Sequence, residues 1–532
     1  MKLENLVQRN SQVFPDKPWV TFEGKTITFK EFKEQTNSVA NSLIKLGLRK
    51  GDRVAVLLEN CDEVINLYFS IPKIGAICVP MNYLSSKNEL IHILDDCQPK
   101  IFILNPNYMK IAELAKEKIK TIQHYILVTD NEIPEGFLDF EKLYLDSKEE
   151  PIIDEQYAYD MYEDVEPAFI QYTGGTTGLP KGVLLNHKSM IENAMMTALS
   201  LREKASSNEK GLLVLPVFHA AAILGILLTF MGGTTIIIHN GFILKKIYET
   251  IEQEKITGIG VVPTMLNMII KDPDVKKYDL SSISKIAYGG APISPALLKE
   301  TLKLFPNVAF SQVFGQTEAG PGLTMLTQDD HKKIIEENQE KLLLSAGRPA
   351  IGIRIKVVDP ITGEEMPSGE AGEIIAKTST KMLEYWNNLE KTESTVRNGW
   401  LYTGDIGHIN DEGYLFLVDR KKDMIVSGGE NIYSKEVEDA LYQHPDVREC
   451  AVIGIPHEKW GEAVHAVVVL NKDFKKSPEL EEDLINFCKD HIARYKAPKS
   501  IDFKRGLPKS AQGKVLKRKI REKYWKDEKR AI

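Results

Sequence analysis

Hydrophobic residues in the first two-thirds of the chain form short runs that alternate with longer segments of helical periodicity. The runs at 54–58, 101–104 and 259–262 are rich in branched aliphatic residues and have the length of buried strands. Ser294 before Pro295 is typical of a helix start, because serine caps free N–H groups and proline fits the first turn. Alternating strands and helices predict β-sheets covered by helices, which is the α/β class.

The pattern changes after about Ile353. Residues 353–358 and 373–376 predict a β-hairpin, and a second pair of strands flanks a turn at 410–413. A charged stretch at 419–423 is followed by a separate, smaller α/β pattern. It predicts helices at 434–442 and 480–491 and strands at 451–455 and 464–470. We therefore expect a large N-terminal domain of helix-covered sheets plus a β-rich subdomain, residues 1–420, and a small C-terminal α+β domain, residues 421–532.

One segment, Gly211 to Leu244, contains no charged residue and is long enough to cross a bilayer. Pro216, His219 and the glycine pair at 232–233 interrupt it. It predicts a strand, a buried helix and a second strand at about 234–238, and so no transmembrane segment. Peripheral contact with a membrane surface stays open as an alternative.

The 532-residue chain is large enough to bury several cores and carries a formal net charge of -7. This acidic balance argues against nucleic acid as a partner, because phosphate binding needs a basic surface. The five cysteines are far apart and show no metal-ligand spacing. Together with the absence of a secretory signal in the first 14 residues, they predict reduced thiols in a cytoplasmic protein.

The strongest chemical pattern is a loop rich in glycine and threonine between Tyr172 and Gly182. Glycines let backbone N–H groups approach a phosphate closely, threonine hydroxyls add donors, and lysine adds positive charge. The loop is not a Walker A motif, because glycine follows the lysine where that motif has serine or threonine. The predicted phosphate-binding residues are Thr173, Gly174, Gly175, Thr176, Thr177, Gly178 and Lys181.

This loop closely resembles the signature loop of the adenylate-forming superfamily, which includes acyl-CoA synthetases, firefly luciferase and peptide-synthetase adenylation domains. Eleven positions match, and further motifs follow in the family's order over nearly the whole chain. The resemblance implies a ligase that converts a carboxylic acid and ATP to acyl-AMP and pyrophosphate and then transfers the acyl group to CoA. The implied cofactors and co-substrates are ATP, Mg²⁺ and CoA.

The resemblance also implies roles for residues in later motifs. The segment 289–292 would form a wall of the adenine and acyl sites, and Phe314, where tyrosine is commoner, would stack near adenine. Thr317 would contact phosphate, and Glu318 would hold Mg²⁺, which prefers carboxylate and phosphate oxygens. The implied nucleotide-binding positions are Gly290, Ala291, Pro292, Phe314, Gly315, Gln316, Thr317, Asp405 and Arg420.

In the C-terminal part, the resemblance implies that Lys514 is the lysine of the adenylation step. Lys422 would be the hinge about which a mobile C-terminal domain turns, and Gly428 and Gly429 would face the pantetheine channel. His219 would stand beside the acyl carboxylate, although a lone histidine in an apolar stretch is also typical of a core residue. The residues expected to be catalytic are Lys514, Thr317, Glu318 and His219.

The acid is expected to be apolar. No carboxylate that could bind an amino group follows His219, and Gly315 replaces the tryptophan that closes the pocket in acetate-specific relatives. The expected lining residues are His219, Ala220, Ala221, Ile223, Val262, Met265, Gly289, Ala291, Val313, Gly315 and Gly322. We predict a medium- or long-chain fatty acid, with an aromatic acid or transfer to a separate carrier protein as alternatives. A homodimer also stays open.

Two segments depart from the family's pattern. Glu384 stands where glycine usually precedes the tyrosine, and 377–379 differs from the common Arg-Gly-Pro. Two other classes of protein are alternatives: a P-loop kinase or ATPase, and a non-catalytic acyl or nucleotide binder. The missing Gly-Lys-Ser/Thr of a Walker A motif argues against the first. The second is disfavoured by the joint presence of Glu318, Asp405, Arg420 and Lys514.

Overall fold

The protein is described by a computed structural model that covers residues 1–151, 165–174, 179–202, 209–290, 293–306, 308–337, 339–428, 430–471, 476–509 and 515–525. The chain forms two compact units. The first comprises the described residues up to Arg354 together with Ala376–Leu401, and the second comprises Ile355–Ile375 and the chain from Tyr402 onward. The predicted boundary after residue 420 falls within the second unit. It stays a prediction, because it concerns the point about which the C-terminal domain would rotate, and compactness does not report rotation.

The strands are short, as the sequence pattern predicts. Those up to residue 349 are β1 (Pro18–Phe22), β2 (Lys25–Thr28), β3 (Arg53–Leu57), β4 (Ile77–Pro80), β5 (Ile101–Leu104), β6 (His124–Leu127), β7 (Leu138–Asp139), β8 (Pro167–Thr173), β9 (Lys181–Asn186), β10 (Lys210–Leu213), β11 (Thr235–Ile238), β12 (Gly258–Val261), β13 (Lys285–Gly289), β14 (Ala309–Gln316), β15 (Gly320–Leu326) and β16 (Arg348–Pro349). The later strands are β17 (Arg354–Val358), β18 (Gly372–Lys377), β19 (Glu384–Tyr385), β20 (Val396–Arg397), β21 (Trp400–Ile409), β22 (Leu415–Arg420), β23 (Ile425–Ser427), β24 (Glu430–Ile432), β25 (Val447–His457), β26 (Gly461–Leu470) and β27 (Ser500–Phe503).

The α-helices separate most of the parallel strands. They are α1 (Leu3–Val13), α2 (Phe29–Lys45), α3 (Asp62–Lys73), α4 (Lys87–Cys97), α5 (Met109–Lys118), α6 (His187–Ser200), α7 (Ala220–Met231), α8 (Leu244–Glu254), α9 (Pro263–Lys271), α10 (Pro295–Leu304), α11 (Gln328–Glu336), α12 (Leu389–Thr395), α13 (Ser434–Leu441), α14 (Pro478–His491) and α15 (Lys517–Arg521). The start of α10 is confirmed, because the Ser294 hydroxyl accepts a hydrogen bond from the N–H of Leu297.

Most of the first unit is built on two large sheets. Within the described residues, one sheet has the order β16-β15-β14-β13-β12-β10-β11-β1-β2, and the other has the order β19-β9-β8-β4-β3-β5-β6-β7. Strands β10 to β14 are parallel neighbours, so their carboxyl ends meet at one edge, where ligands bind in open α/β sheets. The α/β prediction is confirmed.

The core of the first unit is centred on aromatic side chains. Trp19 is fully buried and packs edge-on against Phe230 of α7, with ring centroids 4.6 Å apart. Phe29 and Phe32 of α2 lie 5.3 and 6.0 Å from the Trp19 ring. Helices α2 and α7 are therefore held on β1 by apolar burial, which is the dominant stabilising contribution in a core of this kind.

The uncharged segment folds as predicted from its interruptions. It forms β10, the buried face of α7, and β11, and it contains no single long helix. Among the described residues, every helix is too short or too polar to cross a bilayer.

The second unit contains a small sheet in which β17 neighbours β18, β18 neighbours β21, and β21 pairs with β22. The two predicted hairpins are therefore confirmed. A further sheet has the order β24-β23-β26-β25, with β27 parallel to β26. Its core packs against α13 and α14 and includes Ile425, Val437, Leu441, Val452 and Leu484. The hairpin β23–β24 and strand β27 were not predicted.

Candidate active site

The predicted phosphate loop connects two antiparallel strands. Thr173 at the end of β8 pairs with Lys181 at the start of β9, so the two ends of the loop are held side by side. Gly182 must lack a side chain, because a Cβ atom there would lie 2.7 Å from Ile170 Cγ2 and 3.1 Å from Trp386 Cβ. Residues Gly175 to Gly178 lie outside the described residues, and their phosphate-binding roles stay predictions.

The side chain of Tyr385 contacts both Lys181 and Glu318. The Lys181 ammonium lies 5.9 Å from the centre of the Tyr385 ring, and the Tyr385 hydroxyl donates a hydrogen bond of 2.9 Å to Glu318 Oε1. Burial and the adjacent Glu318 carboxylate raise the pKa of Tyr385, so the phenol keeps its proton and remains a donor. Burial and the neighbouring Lys391 cation lower the pKa of Lys181. The sequence analysis did not identify Tyr385.

The position of Tyr385 follows from a two-residue strand. In β19, Glu384 pairs with Leu184 and Tyr385 pairs with Val183 of β9, so the tyrosine lies beside the strand that begins at Lys181. The departure from the family's glycine at 384 therefore leaves this strand pairing in place.

Glu318 is carried on a rigid turn. Phe314, Gly315 and Gln316 end β14, and Thr317 and Glu318 form a 3₁₀ turn that leads into β15. The carbonyl of Glu318 accepts a hydrogen bond of 2.7 Å from the N–H of Met382. The next carbonyl, of Ala319, accepts one of 2.7 Å from the Thr380 hydroxyl.

The segment that departs from the family's Arg-Gly-Pro supports this turn. The hydroxyls of Thr378 and Thr380 lie 2.7 Å apart and are both buried. The N–H of Thr380 also donates to the Thr378 hydroxyl at 3.0 Å. These contacts fix Thr380 under the turn, so the departure has a structural role here.

Gly315 has a structural reason that the sequence analysis missed. A Cβ atom at this position would lie 2.4 Å from the carbonyl oxygen of Pro321 and 2.7 Å from that of Gly320. The space at Gly315 is filled by the backbone of β15, so the glycine is required by the hairpin itself. The sequence suggested that Gly315 leaves the acyl pocket open. Because the hairpin itself requires glycine here, the residue is not independent support for that interpretation.

Gly315→Ala should lower the free energy of unfolding by about 1–3 kcal/mol, because the added methyl group must push two backbone segments apart. Chemical denaturation monitored by circular dichroism measures the change. Gly225→Ala in α7 is the matched control, since a Cβ atom there meets no atom within 4 Å. Equal stability of both variants and the wild type would contradict the close approach.

Several residues of the predicted wall of the adenine and acyl sites lie at the carboxyl edge of the parallel strands. Gly289 pairs with Val313, and a Cβ atom on Gly289 would lie 2.4 Å from the Val313 carbonyl oxygen. Gly290 has a φ of +75°, and a Cβ atom there would lie 3.7 Å from Val262 Cγ1. The N–H of Met265 donates to the Val262 carbonyl at 2.9 Å. These five residues are therefore neighbours, whereas Ala291 and Pro292 lie outside the described residues.

A buried histidine, His331, contacts the strand that ends at this edge, through Tyr288 of β13. His331 Nδ1 lies 2.8 Å from the carbonyl oxygen of Thr327, and Nε2 lies 2.9 Å from the Tyr288 hydroxyl. Because a carbonyl can only accept, Nδ1 carries the hydrogen and Nε2 accepts from Tyr288. Burial lowers the pKa of His331 to about 4, so the ring is neutral at pH 7.

We expect the protein to lose stability as the pH falls from 6.5 towards 4. In that range an unfolded histidine binds a proton that folded His331 does not, so the proton favours unfolding. The slope should be at most about 1.4 kcal/mol per pH unit for each such histidine. Burial also lowers the pKa of His187 and His239 to about 4, so His331→Gln should remove only part of the slope. Urea denaturation at pH 7, 6 and 5 measures it, and an unchanged slope would contradict the assignment.

His219 lies at the start of α7. Its Nδ1 accepts a hydrogen bond of 3.2 Å from the N–H of Ala221, and the residue is exposed. The preceding segment is fixed by Asn60, which donates to the Leu215 carbonyl at 3.0 Å and accepts from the Val217 N–H at 3.0 Å. His219 is therefore not a buried core histidine, and its role beside a carboxylate stays a prediction.

A small cavity of about 30 Å³ lies between α6, α7 and β15. It is lined mainly by apolar side chains, and the residues at its wall include Gln171, Asn193, Ala220, Ile223, Leu227 and Pro321. Gly322 lies next to it, because its N–H donates to Asn193 Oδ1 at 3.1 Å. Among the predicted acyl-binding residues that the structure describes, one group lies at this cavity and a second at the carboxyl edge of β12 to β14. The first comprises Ala220, Ile223 and Gly322, and the second comprises Val262, Met265, Gly289 and Val313.

The predicted ribose motif lies in the second unit. Asp405 is buried and pairs with Arg420 across β21 and β22, and Arg420 Nε lies 2.6 Å from Asp405 Oδ1. The Thr403 hydroxyl donates to the Ile374 carbonyl at 2.7 Å and accepts from the N–H of Asp405 at 3.1 Å. The two predicted ribose-binding side chains are therefore adjacent and oriented by the strands.

The predicted hinge and thiol-channel residues lie close by in the chain. Burial and the Arg420 cation lower the pKa of Lys422 to about 8. Gly428 has a φ of +63°, and its N–H donates to the Trp460 carbonyl at 2.9 Å, so glycine is required by this turn. Gly429 and Lys514 lie outside the described residues.

Both parts of the chain match known families. Residues 7–386 match the AMP-binding enzyme family, and residues 436–514 match the AMP-binding enzyme C-terminal domain. This places the protein in the class of adenylate-forming ligases, which use ATP and join acids to thiols. Within that class, the chain belongs to the AMP-binding enzyme family and is an acid–thiol ligase of the acyl-CoA synthetase type.

Relatives of similar identity carry different substrate names. The chain is 34% identical to a fatty acid–[acyl-carrier-protein] ligase, ScoC, of Streptomyces coeruleorubidus, over 100% of this chain and 98% of that protein. It is also 34% identical to a feruloyl-CoA synthase of Amycolatopsis sp., over 97% and 98% of the two chains. A solved Mycobacterium tuberculosis fatty acyl CoA synthetase matches with a TM-score of 0.78 and 31% identity, covering 98% of each chain.

Proposed function

We propose that this ligase activates a medium- or long-chain fatty acid as its acyl-adenylate and transfers the acyl group to CoA. The observation that carries the proposal is the contact of Tyr385 with both Lys181 and Glu318. It places a cation suited to phosphate next to a carboxylate suited to a metal ion, at the end of the glycine- and threonine-rich loop. That combination serves a nucleoside triphosphate whose pyrophosphate must leave.

The chemical difficulty is that both reactants are anions. A carboxylate and a phosphate ~4 Å apart repel by about 1 kcal/mol in water and by about 4 kcal/mol at an effective dielectric of 20. Lys514 would contact the acid carboxylate and the α-phosphate, while Lys181 and the threonines of the loop would hold the β- and γ-phosphates. Catalysis would then consist of positioning and charge stabilisation, with no covalent enzyme intermediate.

The residues present fit a magnesium ion. Glu318 offers a partly exposed carboxylate on a fixed turn, and its Oε1 is oriented by Tyr385. Among the described residues no three His, Cys, Asp or Glu side chains converge on a metal site. Mg²⁺ is compatible with this arrangement, because it commonly takes one or two carboxylates and completes its shell with substrate phosphates and water. When bound, the ion would supply charge neutralisation for the pyrophosphate.

The ribose would bind at Asp405, whose carboxylate can accept from both ribose hydroxyls. Arg420 would orient that carboxylate, since it already lies 2.6 Å from it. The C-terminal domain would turn about Lys422 after adenylation, so that Lys514 leaves and Gly428 and Gly429 approach the thiol.

The apolar character of α7 supports a fatty acid. Its residues 220–231 contain no charged side chain, and Ile223, Leu224 and Leu227 lie together with Met190. The support comes from these apolar side chains and not from the volume of the cavity, which at about 30 Å³ has room for a water molecule and not for an acyl chain. An aromatic acid is the second candidate, because the feruloyl-CoA synthase is as similar to this chain as the fatty acid ligase is. A carrier protein is the alternative thiol, because ScoC is named for that acceptor.

The test is acid-dependent ATP–pyrophosphate exchange over a panel of acetate, even-numbered fatty acids, ferulate, benzoate and free amino acids. We expect fatty acids from medium chain length upward to give the highest kcat/KM, with AMP and pyrophosphate as products. Preference for acetate or an amino acid would contradict the pocket assignment. Consumption of free CoA, measured against a purified carrier protein, then identifies the acceptor.

A further inference from the structure

A buried cation anchors helix α15. Lys517 Nζ lies 2.7 Å from Glu438 Oε1 and 2.6 Å from the Ser434 hydroxyl. The side chains of Lys517 and Glu438 are only 14% and 10% exposed, and Glu438 also accepts from the N–H of Val452 at 2.8 Å. Burial alone would lower the pKa of Lys517, but the neighbouring carboxylates, Glu438 above all, raise it, so the side chain is a cation here.

This helix begins directly after the segment that contains Lys514. Lys509 and Val515 form an antiparallel bridge, and the N–H of Leu516 donates to the Pro508 carbonyl at 2.8 Å. Lys509 also pairs with Glu449 of β25 at 3.0 Å. Residues 510–514 lie outside the described residues, but the chain on either side of them is fixed. The anchor at Lys517 therefore fixes the chain that directly follows residue 514.

Asp419 joins the cluster from the strand that precedes the predicted hinge. Its Oδ2 accepts hydrogen bonds from the Ser434 hydroxyl at 2.7 Å and from the N–H of Lys435 at 3.3 Å. A carboxylate is favourable here because the first turn of α13 presents free N–H groups. Asp419 precedes Lys422, whereas Ser434, Lys435 and Lys517 follow it. These hydrogen bonds therefore link chain segments on the two sides of Lys422.

Other ion pairs of the same region lie on one side only. Arg521 Nη2 lies 3.1 Å from Asp423 Oδ1, and Lys496 Nζ lies 2.7 Å from Glu436 Oε1. All four residues follow Lys422, so a rotation about that residue leaves both pairs intact. The same holds for Lys517 and Glu438. The side-chain hydrogen bonds of Asp419 differ from these ion pairs, because they span Lys422 and must break when the chain turns there.

We propose that Asp419 is a positioning residue, which holds the C-terminal domain in one of its two working orientations through Ser434 and Lys517. The inference rests on the proposed two-step function and on Lys422 as the hinge. In the orientation with these hydrogen bonds, Asp419 fixes the start of α13 and, through Ser434, the helix that follows Lys514. The other half-reaction requires that they separate. Asp419 therefore sets the balance between adenylation and thiol transfer.

The test compares the two half-reactions in Asp419→Asn and Ser434→Ala. Adenylation is measured as ATP–pyrophosphate exchange with the best acid of the panel, and thiol transfer is measured from the synthetic acyl-adenylate of that acid with CoA. We expect the ratio of the two rate constants to change by about tenfold, the scale of one hydrogen bond to a charged group. One half-reaction should slow while the other does not. Ser434→Ala carries the test should Asp419→Asn fail to fold.

Glu436→Gln is the matched control, because it breaks an ion pair of similar length that does not span Lys422. It should leave the ratio within about twofold of the wild type. A ratio that is equally unchanged in Asp419→Asn and Ser434→Ala would overturn the proposal, whatever their melting temperatures. An active wild type with an unchanged ratio refutes only the positioning role, whereas a wild type that exchanges pyrophosphate with no acid refutes the proposed function.

A second measurement does not depend on activity. Spin labels on Ile361→Cys and Lys489→Cys would report the distance between exposed positions before and after Lys422, since the five native cysteines are buried. Asp419→Asn should add a second population to the distance distribution measured by pulsed electron paramagnetic resonance. Glu436→Gln should not. A single unchanged population in both variants would overturn the proposal.

Discussion

Replacing Lys514 with alanine should slow acyl-adenylate formation at least ~100-fold, the loss expected for one electrostatic donor in an active site. The reason is that its ammonium would bridge two anions, the acid carboxylate and the α-phosphate, when they approach for attack. Thiol transfer from supplied acyl-adenylate should be spared, because Lys514 would have left the site by then. Pyrophosphate exchange and single-turnover thioester formation measure the two steps.

The matched control is Lys519→Ala, which removes an exposed cation five residues further on. It should leave both half-reactions within about twofold of the wild type. An equal loss of both half-reactions in Lys514→Ala would contradict the division of labour between the two orientations. It would indicate that the lysine supports the fold of the C-terminal domain or binds a group common to both steps.

The elements with a clear period were predictable from the sequence. The runs at 54–58 and 101–104 correspond to β3 and β5, because parallel strands buried on both faces are nearly continuous in aliphatic residues. The run at 259–262 corresponds to β12, in which buried isoleucine and valine alternate with glycine. The uncharged segment 211–244 was also predictable, since its glycines and proline stop any long helix. Two-residue strands such as β19 and β20 have no period, so no local pattern could have revealed them.

The candidate site could be proposed from the sequence where its chemistry lies in one contiguous motif. The composition of the glycine- and threonine-rich loop predicted phosphate binding, whereas the pairing of its ends, Thr173 and Lys181, became visible only in the structure. The contact of Tyr385 with Lys181 and Glu318 was not predictable, because it depends on β19 pairing with β9 across about 200 residues of chain. The structural reason for Gly315 was not predictable for a related reason. Glycine is needed there because the backbone of β15 lies too close for a side chain, and the neighbouring sequence does not reveal this close approach.

The C-terminal part shows the same limit. Helices α13 and α14 and strands β25 and β26 follow from their patterns, and the boundary after residue 420 was placed by a charged run. That run proved to contain specific contacts. Lys421 donates to Glu373 Oε2 at 2.8 Å and to the Pro360 carbonyl at 3.1 Å, and Asp419 accepts from Ser434. Charged stretches usually face solvent, so only the fold could reveal these partners.

Glu318→Gln should lower kcat/KM for adenylation by about 10²–10³-fold and raise the Mg²⁺ concentration needed for half-maximal rate. Glutamine keeps the shape and one acceptor oxygen, so the hydrogen bond from Tyr385 can persist, but the negative charge that favours a hard cation is lost. Pyrophosphate exchange measured over a series of Mg²⁺ concentrations tests both effects.

Tyr385→Phe is the control that separates charge from orientation. It removes the hydroxyl that lies 2.9 Å from Glu318 but leaves the carboxylate and the ring beneath Lys181 in place. We expect a loss of about tenfold, the scale of one hydrogen bond to a charged group, with a nearly unchanged Mg²⁺ requirement. If Glu318→Gln lost no more activity than Tyr385→Phe and needed no more Mg²⁺, the carboxylate would act only as the acceptor that fixes Tyr385. The metal would then have to be held by other residues.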